Sequence, residues 1–160
     1  GRLPQPFGNI LVRAFHFRLQ TLLNLREMAR EEALSTYANA IRQRELNEER
    51  LTECKSRLDE LREAVAACRR EHFTGAEQAN FEQAVNLAKE HLLRQRNKLK
   101  RAKGVEEKAR TSYVKADGEE KSLTNLKERR QEDHFQFELK KEERELEDVI
   151  TARYGLKPTT

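Results

Sequence analysis

Residues 51–77 read LTECKSRLDELREAVAACRREHFTGAE, and the fold follows from how this stretch is parsed. Leu51, Cys54, Leu58, Leu61, Val65 and Cys68 recur at alternating steps of three and four, the a/d pattern of a heptad repeat. The pattern then meets His72-Phe73-Thr74-Gly75-Ala76-Glu77. A glycine stands there, and Thr74 followed three residues later by Glu77 is a capping-box pattern that starts a new helix. A helix over 19–71, a turn over 72–75 and a second helix over 76–153 are predicted. At 1.5 Å per residue these helices are roughly 80 Å and roughly 115 Å long, and helices of that length need a partner along one face.

Working outward, the first stripe continues upstream through Leu23, Leu34, Tyr37 and Ile41, with Arg44 and Asn47 interrupting it, where a slip of register is the expectation. The second helix carries Phe81, Val85, Ala88, Leu92, Leu99, Ala102, Ala109, Tyr113, Ala116, Leu123 and Leu126, punctuated by Gln95 and Glu106. In an antiparallel hairpin, facing residue numbers add to a near-constant value, about 150 for a turn near 75. On that register Val65 meets Val85, Leu58 meets Leu92, Leu51 meets Leu99, Ile41 meets Ala109, Tyr37 meets Tyr113 and Leu34 meets Ala116. The predicted fold is all-α, an antiparallel two-helix coiled-coil hairpin with a longer C-terminal helix. One continuous helix in an intermolecular dimer is the competing architecture, which the Thr-Gly break disfavours.

The composition agrees. Of 160 residues, 38% are charged and 36% apolar, with no Trp, which suits a narrow seam rather than a thick core. Proline occurs only at 4, 6 and 158, so nothing between stops a helix. Residues 1–14 read as a disordered lead-in or a remnant of cloning, and 155–160 as a tail in which Gly155 stands where a C-cap glycine would. Gly104 and Gly118 read as tolerated surface positions or gentle bends in the second helix.

Net charge is +4, split evenly between residues 1–75 and 76–160, so bulk charge does not point to nucleic acid. No apolar run approaches the ~18 residues of a membrane span, so a cytoplasmic protein without direct membrane insertion is expected. Cys54 and Cys68 stand ~21 Å apart on one helix, beyond disulfide reach. They read as small seam residues. His16, His72, His91 and His134 show no zinc-like spacing. No phosphate-binding glycine loop, Gly-x-Ser-x-Gly or His-Glu-x-x-His motif is present. The expectation is a non-enzymatic protein with no catalytic, cofactor-binding or metal site.

Three features read as contact surfaces. On the register above, Leu19 faces about Arg130, so residues 131–153 overhang the first helix. They carry Phe135, Phe137, Leu139, Leu146, Val149 and Ile150, which are to be covered by a partner or locally by Phe15 and Phe17. Arg94, Arg96, Lys98, Lys100, Arg101 and Lys103 have no acidic neighbour among them. They are a solvated face or a contact for an acidic protein, anionic lipid or nucleic acid. At the tip, Phe73 and Phe81 are either an anchor for a partner or a plug closing the coiled coil.

The segment 14–27, AFHFRLQTLLNLRE, resembles the opening of the flagellar export protein family FliJ. It has the Phe15-x-Phe17-x-Leu19 start, the Leu22-Leu23 pair and Arg26-Glu27, followed by charged coiled coil. The similarity covers residues 14 to about 154. It implies a component of the type III flagellar export apparatus, at the inner face of the cell membrane. The implied partners are the ring of an export ATPase like FliI, the cytoplasmic domain of an export gate like FlhA, and export chaperones. The ATPase end would comprise Phe15, Phe17, Phe135, Phe137, Leu146, Val149 and Ile150. The gate face would comprise Phe81, Val85, Ala88 and Leu92, which overlap the predicted seam. The alternative is a stalk or scaffold coiled coil of another assembly, such as a rotary-ATPase-like central stalk.

Overall fold

The computed structural model describes residues 13–71 and 73–155. Residues 1–12 of the expected lead-in, His72 of the expected turn and residues 156–160 lie outside the described residues. The described residues form two helices, α1 (Gln20–Arg70, 51 residues) and α2 (Gly75–Tyr154, 80 residues). No described residue lies in a strand. The architecture is the expected all-α antiparallel hairpin with the longer helix second.

The helix ends are set locally. The Gln20 N–H donates to the Phe17 carbonyl at 3.1 Å as the chain turns into α1. At the start of α2 the Glu77 N–H donates to Thr74 Oγ1 at 3.3 Å, and the Gln78 N–H to the Thr74 carbonyl at 3.0 Å. Thr74 is therefore the N-cap, satisfying a donor that the first turn cannot pair internally. Gly155 ends α2 at φ 60°, the left-handed conformation that glycine adopts without steric penalty. The break between the helices works differently, because Gly75 is the first helical residue and its φ is not positive. Phe73 and Phe81 stack at 5.8 Å with planes 16° apart, both half-buried, so they close the end of the coiled coil.

The chain divides into two compact units, Met28–Asp117 and the combination of Gly1–Glu27 with Gly118–Thr160. Within Met28–Asp117 the buried and half-buried residues on α1 include 37, 40, 44, 47, 51, 54, 58, 61, 65 and 68, an unbroken heptad. On α2 the matching run is 81, 85, 88, 92, 95, 99, 102, 106, 109, 113 and 116. Its apolar centre is Leu58 with Ala88 and Leu92, flanked by Leu51, Cys54, Leu61 and Val85. Tyr37 stacks on Tyr113 at 6.0 Å. Leu58 with Leu92 and Tyr37 with Tyr113 are pairs that the sequence register puts face to face.

One expectation is overturned here. Arg44 and Asn47 do not interrupt the seam, and no slip occurs. They occupy it, and the polar residues of α2 meet them. Arg44 Nε lies 2.5 Å from Glu106, with Glu48 3.1 Å from the same guanidinium. Hydrogen bonds to Glu48 and Glu106 hold the Arg44 guanidinium above its ordinary range. Gln95 donates from Nε2 to Asn47 Oδ1 at 2.9 Å and to the Asn47 carbonyl at 3.2 Å. Polar side chains stay on a seam when each finds its partner across it. Because the heptad count continues, Leu34 falls outside the seam and is exposed, Ile41 is a half-buried flank, and Ala40 is the buried residue.

Candidate partner-binding surfaces

In the unit that joins the chain ends, α1 and α2 are tied by Leu23, which is buried, and by the Arg26–Glu119 ion pair at 2.6 Å. Upstream of α1 the chain has no regular structure from Arg13 to Phe17 and lies along α2. Phe15 packs on the His134 ring at 5.7 Å, and Phe15 and Phe17 stack at 6.4 Å. His134 Nε2 is 2.7 Å from the Arg13 carbonyl. A carbonyl only accepts, so Nε2 carries the proton and donates. Phe17 is buried and Phe15 half-buried. Local cover by these two aromatics therefore reaches His134.

The remaining candidates of this end behave differently. The less exposed side of α2 beyond residue 130 runs through His134, Glu138, Leu139 and Glu142. Glu138 is buried, and Glu142 encloses a carboxylate oxygen with no hydrogen-bond partner among the described residues. Phe135 shares this side by its steps of three, four and seven yet is itself exposed, and Phe137 falls on another face with 65% of its surface exposed. Leu146 at 61%, Val149 at 58% and Ile150 are exposed as well. Steps of three and four place these last three on one side of the helix.

The four gate-face candidates lie in Met28–Asp117 and divide into two pairs. Ala88 and Leu92 are buried in the apolar centre of the seam. Phe81 and Val85 are half-buried and line a groove with Val65, Phe73, Arg62 and Lys89. Leu92 and Ala88 are thus largely taken up by the hairpin itself, and Ala88 also reaches the floor of a second groove.

Two features escaped the sequence reading. One is His134, whose role emerges only when Phe15 and Arg13 are brought beside it. The other is a second groove in Met28–Asp117, lined by residues of both helices from Cys54 to Lys98. The heptad from Leu51 to Cys68 and the stripe through Ala88, Leu92 and Leu99 already set Arg57, His91 and Lys98 beside the seam, but the channel between them follows from the packing of Cys54, Ala84 and Ala88. Among the described residues no group of three His, Cys, Asp or Glu could hold a metal ion. No helix among them is long and apolar enough to cross a membrane.

Comparison with known proteins gives one family. The family model described as "Flagellar FliJ protein" matches residues 15–158, nearly the whole chain. No curated protein matches, and no solved structure matches.

Proposed function

Because the chain belongs to the FliJ family of flagellar proteins, we propose that it is a non-enzymatic coupling component of the flagellar export apparatus. In this reading it engages the export ATPase through one surface and the cytoplasmic domain of the export gate through another, at the inner face of the membrane, and assists delivery by export chaperones. The ATPase surface is the exposed side of α2 carrying Leu146, Val149 and Ile150. The gate surface is the groove beside Phe81 and Val85.

The observation that carries the reading is the exposure of three large aliphatic side chains on one side of a helix that is otherwise heavily charged. Single exposed hydrophobics need no explanation, but an aligned set rimmed by charge is how a helix presents itself to a partner. The surface asks for no chemistry, and the partner supplies it.

The test uses the full chain with Leu146, Val149 and Ile150 each replaced by Asp. These positions are exposed, so the helical circular dichroism should match the parent. Co-purification with the export ATPase should be lost, while co-purification with the gate domain persists. Retained ATPase binding at parental strength would remove this surface from the proposal.

A further inference from the structure

We propose that the groove beside Cys54, within Met28–Asp117, is a docking site for an acidic amphipathic helix of a partner protein, which completes a three-helix seam there. The proposal goes beyond the coupling role and does not depend on it.

The floor of the groove is small and apolar. Cys54 and Leu61 come from α1, and Ala84, Leu87 and Ala88 from α2. Side chains of alanine and cysteine size are too short to close the angle between two helices, so a channel remains along one edge of the seam. Leu87 stands at its margin with 54% of its surface exposed. A third helix presenting leucine-sized side chains would fill the channel and bury Leu87.

The rim specifies the sign of the visitor. The charged groups lining the groove are Arg57, Arg94 and Lys98, joined by His91, and no carboxylate lines it. Arg57 and Lys98 form no ion pair among the described residues. Arg94 meets Glu90 only at 3.8 Å, with both side chains more than 60% exposed, a contact worth little in water. Cations from both helices thus converge on one channel with little to neutralise them, and a helix with Glu or Asp beside its apolar stripe would do so.

The shape selects among anionic partners. Ala84 and Lys98 both line the groove, and fourteen helical residues span about 21 Å, or four turns of a docked helix. The apolar floor is recessed between two helices, where a bilayer surface does not reach. No aromatic side chain lines the channel for bases to stack on.

The native cysteines provide the assay. Cys54 lines the groove, Cys68 does not, and both are free and half-buried. The probe is a synthetic 21-residue helix with a leucine stripe flanked by glutamates. Its charge-reversed lysine counterpart, a 20-base-pair DNA duplex and phosphatidylglycerol vesicles serve as alternatives. With the acidic helix at about ten times its Kd, maleimide labelling of Cys54 should slow about tenfold while Cys68 is unaffected. The double variant Arg94→Glu/Lys98→Glu should weaken binding by about tenfold, chiefly through the lost charge complementarity. Leu87→Glu, tested separately, should also weaken it, and unchanged helical circular dichroism shows that each variant remains folded. No binding, binding without protection of Cys54, indifference to the charge reversals, or equal protection by the lysine helix, DNA or vesicles would each overturn the proposal.

Discussion

Replacing Asn47 should reveal whether the seam runs unbroken through its polar layer. Gln95 is only 7% exposed, and its amide nitrogen has two acceptors on Asn47, the side-chain oxygen at 2.9 Å and the backbone carbonyl at 3.2 Å. Asn47→Ala deletes the shorter bond and leaves the longer. A net hydrogen bond is worth about 1 kcal/mol, and leaving a buried donor under-satisfied costs up to about 3 kcal/mol. The surviving backbone bond holds the loss to the lower part of that range, and the better helix propensity of Ala returns about 0.5 kcal/mol. The expected net destabilisation is about 1 kcal/mol. With a urea m-value of about 2 kcal/mol/M, the unfolding midpoint falls by about 0.5 M.

The same geometry predicts a change of sign for the pair. Replacing Asn47 and Gln95 together with Leu removes the half-buried Asn47 amide and the buried Gln95 amide and fills the seam with apolar volume. That should stabilise by about 2 kcal/mol. The cost is specificity, since a matched polar pair on the seam distinguishes one heptad register from the next. Urea titration followed at 222 nm measures all three proteins. If Asn47→Ala unfolds at the parental midpoint, Gln95 does not depend on Asn47, and the claim that the polar residues belong to the seam fails.

Leu58→Ala removes the centre of the apolar cluster, where Leu58 is 5% exposed, and should cost about 2–5 kcal/mol. Leu93→Ala, at a largely exposed position, should change stability by less than about 0.5 kcal/mol in the same titration. Gly104→Ala should stabilise by about 1 kcal/mol, since an added methyl meets nothing within 4 Å and a helix-interior glycine is replaced. A lower thermal midpoint would show that residue 104 is packed. Thr74→Ala removes the acceptor for the Glu77 N–H and should cost about 1 kcal/mol. Faster amide hydrogen exchange at the first turn of α2 would localise that loss.

Much of this molecule is legible in the chain itself. The 3-4 spacing from Leu51 to Cys68, the Thr74-to-Glu77 start signal and the absence of internal proline suffice for two long helices folded back on each other, because helix formation and its interruption are local. The Phe15-x-Phe17 opening carried the family. What the chain did not disclose was which polar residues lie inside. Arg44 and Asn47 look like interruptions when α1 is read by itself, since an apolar stripe marks burial by side-chain type alone. A buried polar group is tolerated only because of what stands opposite, and Glu106 and Gln95 lie 62 and 48 residues away along the chain. Tertiary structure decided that matching, and with it the heptad phase upstream of Leu51 that exposes Leu34 and buries Ala40. The cover that Phe15 and Phe17 give His134 likewise exists only once residues 13–17 lie against α2, because a contact between distant residues depends on the path between them as well as on their chemistry.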